Sequence, residues 1–146
     1  MNLPQGRILV VDDDDSLRRV TQAQLQQEGY EVDAAATAED ALAAFSSQLY
    51  DLVISDLRLP GLSGLELLKR LKELYPEVIV ILITAYGTIE NAVEAMKFGA
   101  YDYITKPIDP DALRLTVRRA LEHLQLEQEV HALRQSLDQK YGFENI

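Results

Sequence analysis

The chain is 146 residues long and carries 14 Lys and Arg residues against 24 Asp and Glu residues, which gives a formal net charge of −10. Binding to nucleic acid phosphates needs clustered positive charge, so we expect no direct nucleic acid binding by this chain. The sequence contains no Cys, which excludes disulfides, thiolate nucleophiles and cysteine-ligated zinc.

Five short segments have the composition of β-strands. Residues 8–11, 52–54 and 78–83 are apolar runs rich in β-branched residues, as is typical of parallel strands buried on both faces. Residues 30–35 and 101–105 are weaker candidates. Apolar residues with helical spacing lie between these segments, so the sequence predicts an α/β fold with a parallel sheet. The longest run is far shorter than the about 20 residues that span a bilayer, and we expect a cytoplasmic protein without membrane contact.

The first four predicted helices each have an apolar stripe that should pack on the sheet. The stripes are Leu17, Val20 and Leu25; Ala41, Leu42 and Phe45; Leu65, Leu68 and Leu71; and Ile89, Ala92, Val93 and Met96. Asp14 and Asp15 extend an acidic run, and we interpret them as the N-terminal cap of the first helix. Thr37 and Asp109 have the residue type and position of caps for later helices.

A long final helix is predicted from Asp109 onwards, because neither Gly nor Pro follows Pro110 until Gly142. Its apolar stripe changes phase partway. We expect the first part to cover the sheet through Leu113, Val117, Ala120, Leu121 and Leu124. The second part has the 4, 3, 4 spacing of a coiled-coil seam and predicts a homodimer through Leu126, Val130, Leu133 and Leu137. A solvated helix or a docking surface is the alternative for this second part.

Polar residues follow four of the predicted strands within two positions: Asp12 and Asp13, Asp56, Thr84 and Lys106. In an open parallel sheet, ligands bind outside the carboxyl ends of the strands, so these side chains should share one rim. Two carboxylates about 4 Å apart repel by about 4 kcal/mol at an effective dielectric of about 20, so either a cation binds there or the pKa values of the carboxyls rise. An incomplete cage of oxygen ligands favours Mg²⁺. Beside a nearby ammonium and hydroxyl, such a site can accept a phosphoryl group on an aspartate.

Four segments resemble the receiver domain of two-component response regulators: ILVVDDD at 8–14, LVISDLRLPGLSGLEL at 52–67, ILITAYG at 81–87 and YITKP at 103–107. The resemblance covers about residues 6–124. It implies a flavodoxin-like, doubly wound sheet of five parallel strands in the order 2-1-3-4-5, with five helices, the last extended into a coiled-coil linker. It also implies that a sensor histidine kinase supplies the phosphoryl group.

The resemblance assigns a role to each acidic residue of the rim. Asp56 would be the phosphoacceptor. The ligands of Mg²⁺ would be Asp12, Asp13, Asp56 and the backbone carbonyl of Arg58. Such a domain is a regulatory phosphoacceptor rather than an enzyme with turnover, although it takes part in its own phosphorylation and dephosphorylation.

The resemblance also implies which residues sense the phosphoryl group. Thr84, the backbone of Ala85 and Lys106 would contact it. Tyr103 would be a switch aromatic that turns inward as Thr84 moves toward the phosphate. Two further residues would flank the phosphoryl group and tune its lifetime: Arg58 and Tyr86.

A narrower resemblance concerns the nitrogen-regulatory and dicarboxylate-transport class of regulators. It rests on TAYGTIENAVEAMKFGAYDYITKPID at 84–109 and on the long helix ending in KYGFENI. In that class, a receiver and a helical linker precede an AAA+ ATPase, which acts on polymerase bound to an alternative sigma factor, and a DNA-binding domain. We therefore expect a receiver at 1–124 and a dimerisation linker at 125–146, leading to an ATPase that this chain does not contain.

Three other functions compete with a phosphorylation switch. A flavin-binding electron carrier needs a phosphate cradle after the first strand, where residues 12–15 are all Asp and would repel a phosphate. A phosphohydrolase with an aspartyl nucleophile needs a general acid two residues after Asp56. That residue is Arg58, which cannot donate a proton in this role. A receiver that binds partners without phosphorylation is disfavoured by the complete set of acidic, Thr and Lys residues.

Overall fold

The computed structural model describes residues 6–85 and 87–141, the last four of them as backbone only. Five parallel strands form one sheet in the order β2-β1-β3-β4-β5: β1 (Arg7–Val11), β2 (Glu31–Ala35), β3 (Leu52–Asp56), β4 (Ile79–Thr84) and β5 (Asp102–Thr105). The predicted flavodoxin-like fold and strand order are confirmed.

Five helices connect and follow the strands: α1 (Asp15–Gln27), α2 (Ala38–Ser47), α3 (Gly64–Leu74), α4 (Ile89–Lys97) and α5 (Pro110–Tyr141). A side-chain oxygen caps each of the first four helices by accepting a hydrogen bond from the amide three residues further on. The caps are Asp14, Thr37, Ser63 and Thr88. No helix within the described ranges is both long and apolar enough to cross a bilayer.

The sheet has an apolar layer on each face because alternate residues of a strand point to opposite sides. Ile8 and Val10 of β1 pack with Leu25 of α1 and with α5. Leu9 and Val11 face the other layer, which α2, α3 and α4 cover. Strands β3 and β4 are buried along their whole length, as expected for central parallel strands. The double layer leaves the carboxyl ends of the strands as an open rim.

Two of the predicted apolar stripes are wrong in part, because some of their side chains are exposed while Leu25 is buried as predicted. Val20 of α1 points outward and is 63% exposed, whereas Thr21 is buried in its place. In α4, the side chains of Ile89, Val93 and Met96 are exposed, and Ala95 is the buried residue. The short helix α4 packs toward the edge strand β5 through small side chains, which leaves its larger apolar face in solvent.

Helix α5 contains the two predicted parts in one continuous helix. The first stripe is buried on the sheet: Leu113, Val117, Ala120, Leu121 and Leu124. The second stripe extends past the sheet and is 41 to 63% exposed: Leu126, Val130, Leu133 and Leu137. The phase break read from the sequence therefore separates a packed segment from a segment that has no packing partner in the described part of this single chain. Pairing of the second segment as a coiled coil stays a prediction.

The contrast between α4 and α5 gives a direct test of the packing. Leu113→Ala, at a fully buried site, should reduce the free energy of unfolding by about 2–5 kcal/mol. Ile89→Ala, at a site that is 84% exposed, should change it by no more than about 0.5 kcal/mol. Urea unfolding followed by circular dichroism measures both values. Equal losses would contradict the outward orientation of the α4 apolar face.

Candidate functional site

The polar residues that follow the strands lie together at the carboxyl-terminal rim of the sheet. Asp12 follows β1, Asp56 is the last residue of β3, Thr84 is the last residue of β4 and Lys106 follows β5. Asp12, Asp56 and Thr84 are buried, with exposures of 7%, 9% and 0%. Two buried carboxylic acids at the end of an apolar sheet carry a high desolvation cost unless cations compensate them.

Three carboxylates converge at this rim. Asp12, Asp13 and Asp56 each offer an oxygen, and these oxygens lie within 4.8 Å of one another. Burial raises the pKa of the Asp12 carboxyl above its usual value, and the charges of Asp56 and Asp13 add to the increase. Hydrogen bonding from the Asp14 amide and the positive charge of Lys106 offset only part of it. The site therefore disfavours the ionised form of the Asp12 carboxyl.

Lys106 supplies the positive charge at the centre of the rim. Its Nζ atom donates a hydrogen bond of 2.8 Å to Oδ2 of Asp56 and lies 3.7 Å from Oδ2 of Asp12. Burial by itself lowers the pKa of Lys106, but the hydrogen bonds and charges of Asp56 and Asp12 outweigh it and leave the pKa above its usual value. The Lys106 amide also donates to the Thr84 carbonyl at 2.8 Å. Lys106 is therefore a fixed ammonium that touches two of the three carboxylates.

The loop after β3 contains Arg58, whose backbone carbonyl is the fourth predicted ligand of Mg²⁺. The Arg58 amide donates to Oδ1 of Asp56 at 3.0 Å, so this carboxylate is held by a backbone group on one oxygen and by Lys106 on the other. The Gly64 amide donates to the Leu57 carbonyl at 2.9 Å and closes the loop onto α3. These bonds hold the backbone at Arg58 beside the carboxylate cluster.

Tyr103 lies on β5 in register with Leu82, two strand positions before the rim. Its hydroxyl is buried and has no hydrogen-bond partner among the residues that the structure describes. A Cβ atom on Gly87 would lie 2.3 Å from Cγ2 of Thr105, so a larger residue there would require the exposed Thr105 side chain to shift. Ala85 begins that loop and is exposed. Tyr86 lies outside the described residues, and its predicted role stays a prediction.

The sequence model of the response regulator receiver domain matches residues 8–118. The chain belongs to the response regulator receiver domain family. The regulatory protein AtoC of Escherichia coli (strain K12) is 38% identical over 97% of this chain and 31% of its own length. The C4-dicarboxylate transport transcriptional regulatory protein DctD of Rhizobium meliloti (strain 1021) is 40% identical over 90% of this chain and 28% of its own length. This receiver domain thus spans about a third or less of these relatives.

Solved structures agree with the assignment to receiver domains. A CheY-like receiver domain protein from Methanospirillum hungatei JF-1 superposes with a TM-score of 0.81 at 37% identity, over 86% of this chain and 99% of the other. The beryllofluoride-activated NtrC4 receiver domain dimer superposes with a TM-score of 0.77 at 34% identity, over 81% of this chain and 98% of the other. The resemblance found in the sequence, including the narrower one to dicarboxylate-transport regulators, is confirmed.

Arg18 also lies at the rim of this receiver domain and was not predicted from the sequence. Its guanidinium donates to the main-chain carbonyl of Asp12 at 2.8 Å and also pairs with Asp15. The spacing of Asp15 and Arg18 on one helix face could have predicted the ion pair. The contact with the Asp12 carbonyl depends on how α1 folds back on the preceding loop, and no local pattern encodes that.

Proposed function

We propose that this receiver domain accepts a phosphoryl group on Asp56 from the phosphohistidine of a sensor kinase. One observation carries the proposal: the buried Asp56 carboxylate contacts the Lys106 ammonium at 2.8 Å inside a cluster of three carboxylates. In the transfer, a carboxylate oxygen attacks phosphorus and an O–P bond forms. The N–P bond breaks, and the imidazole nitrogen leaves with its electron pair.

The carboxylate cluster fits Mg²⁺ by the chemistry of its donors. Asp12, Asp13 and Asp56 present only hard oxygens, and these oxygens lie within 4.8 Å of one another. We assign these three carboxylates and the backbone carbonyl of Arg58 as the residues that would hold the ion. When bound, Mg²⁺ supplies charge neutralisation that lets a phosphoryl group approach the carboxylates.

The residues around the acceptor would read its phosphorylation. We assign Lys106 as the partner of a phosphoryl oxygen, through the same ammonium that contacts Asp56. Thr84 and the backbone of Ala85 end the neighbouring strand at the same rim, and we assign them as phosphoryl contacts. Tyr103, whose buried hydroxyl lies on the adjoining strand, would follow the movement of Thr84. Arg58, which is exposed beside the acceptor, and Tyr86 are assigned to lifetime control.

Phosphorylation has an effect only if it shifts an equilibrium between two conformations of the domain. Lys106 and Thr84 are the groups that would couple phosphorylation of Asp56 to that equilibrium. Lys106→Ala and Thr84→Ala should still be phosphorylated on Asp56 but lose most of the backbone response to beryllium fluoride. Amide chemical shifts in ¹H–¹⁵N NMR spectra measure the response. Lys69→Ala is the matched control, because Lys69 lies over the Phe98 ring, away from the rim. A normal response in both rim variants would remove these residues from the switch.

The output of the switch would be a change in dimer arrangement. We assign residues 1–124 to the receiver and residues 125–146 to a linker that pairs two copies through Leu126, Val130, Leu133 and Leu137. The exposed stripe on α5 supports pairing through the linker. The receiver domain dimer of NtrC4 supports dimer formation by the receiver itself. By the resemblance to the nitrogen-regulatory and dicarboxylate-transport class, the linker would lead to an AAA+ ATPase and a DNA-binding domain in a longer cytoplasmic protein, and the receiver would control that ATPase.

Labelling by acetyl phosphate tests the proposed chemistry. One phosphoryl group per chain should be incorporated when Mg²⁺ is present, and none after chelation of the ion. Intact-protein mass spectrometry counts the groups. A chain that stays unmodified with Mg²⁺ and excess acetyl phosphate would contradict the proposal.

A further inference from the structure

We infer that Ser55 and Gly64 are positioning residues that hold the main-chain carbonyl of Asp56 from two sides and thereby aim its carboxylate at the ion. The inference rests on the proposed function, because it concerns the same acceptor and the same Mg²⁺ site. Neither residue reaches the rim itself, and neither carries a group that would touch the phosphoryl group. Both act through the peptide that follows Asp56.

Ser55 provides the first contact. Its side chain is fully buried in the central strand β3, beside Leu82 of β4. A hydroxyl in such a place is costly unless it has a hydrogen-bond partner. Its Oγ atom donates to the main-chain oxygen of Asp56 at 2.9 Å. The hydrogen bond therefore fixes the orientation of the peptide directly after the acceptor.

Gly64 provides the second contact from the opposite end of the loop. It is the first residue of α3 and is buried. A Cβ atom at this position would lie 2.1 Å from the main-chain oxygen of Asp56 and 2.8 Å from Cα of Leu57. Both neighbours are backbone atoms, which cannot swing aside as a flexible side chain can. Only a glycine lets α3 begin directly against the acceptor peptide.

The two contacts determine where the metal-binding atoms point. The peptide held by Ser55 and Gly64 leads into Arg58, whose amide donates to Oδ1 of Asp56 at 3.0 Å. A shift of the Asp56 carbonyl would therefore move the carboxylate and the Arg58 backbone together. Ion sites tolerate only about 0.5 Å of such displacement before affinity falls.

Magnesium titrations of two variants of the full chain test this inference. Gly64→Ala should weaken Mg²⁺ binding about 10–100-fold, because its methyl group forces α3 away from the acceptor peptide. Ser55→Ala should weaken it about threefold to tenfold, because it removes one hydrogen bond without adding volume. Amide shifts in ¹H–¹⁵N NMR spectra report the dissociation constants and also show whether each variant keeps the wild-type fold.

Gly99→Ala is the matched control. Gly99 has a φ of +103° and lies close to the Lys72 side chain at the other end of the sheet, so alanine there also strains the fold. It should leave Mg²⁺ binding unchanged. A folded Gly64→Ala variant with wild-type Mg²⁺ affinity would overturn the inference. If Gly64→Ala does not fold, Ser55→Ala decides alone, and wild-type affinity in that variant would overturn it.

Failure of the positioning role can be separated from failure of the proposed function. Wild-type protein that takes no phosphoryl group from acetyl phosphate contradicts the function itself. Wild-type protein that is phosphorylated, alongside variants that bind Mg²⁺ as tightly as it does, contradicts only the roles of Ser55 and Gly64.

Discussion

Asp56→Asn is expected to abolish phosphorylation of this receiver domain by acetyl phosphate. The asparagine amide cannot form the acyl phosphate, but it is similar in size to the carboxylate and can still form hydrogen bonds at the rim. The neutral side chain also removes one of the two carboxylates that the Lys106 ammonium contacts. Labelling should therefore fall from one group per chain to none, without loss of the fold. Intact-protein mass spectrometry measures the labelling, and circular dichroism checks the fold.

Asp51→Asn is the matched control for this loss. Asp51 directly precedes β3, the strand that Asp56 ends, and accepts a hydrogen bond from the Arg7 amide at 3.0 Å. The Asp51→Asn variant has the same change from carboxylate to amide, at the opposite end of β3. The control should be labelled as fully as the wild type. Full labelling of the Asp56→Asn variant on another residue would show that Asp56 is not the acceptor.

Replacing Val130 and Leu133 together by Asp is expected to convert the unphosphorylated chain from a dimer to a monomer. Both side chains belong to the exposed stripe of α5, with exposures of 41% and 63%. Burial of such a side chain against a partner contributes about 1.5–3 kcal/mol, and carboxylates in the seam would instead repel each other. Light scattering gives the molar mass. Phosphorylation of Asp56 should be unaffected.

A control with the same added charge separates the seam from the rest of the helix. Gln128→Asp combined with Gln135→Asp places two carboxylates on the side of α5 opposite the stripe, as helical periodicity requires. This control should remain dimeric. If the Val130 and Leu133 variant also remains fully dimeric, the linker is not the dimer seam.

The sheet and its rim could be predicted from the sequence because their signals are local. The apolar runs of β1, β3 and β4 are too short for helices, and each is followed within two residues by a polar side chain. Parallel strands bring those side chains to one edge. The convergence of Asp12, Asp13 and Asp56 and the contact with Lys106 follow from that topology.

The remaining features depend on contacts between separate elements. The apolar stripe of α4 has the spacing of a buried face, yet Ile89 and Val93 are exposed because the helix packs through Ala95. The role of Gly64 depends on the approach of α3 to the end of β3. The spacing of residues along the chain cannot predict how closely α3 approaches β3, because the conformation of the loop between them determines that distance.

Reduction of the phosphorylated wild-type protein with borohydride, followed by mass spectrometry of its peptides, locates the phosphoryl group directly. Borohydride reduces an aspartyl phosphate to homoserine with release of phosphate and leaves ordinary aspartates unchanged. Homoserine should appear at position 56 alone, and only in samples phosphorylated with Mg²⁺ present. Homoserine at another aspartate, or at position 56 after chelation of the ion, would contradict a Mg²⁺-dependent switch built on Asp56.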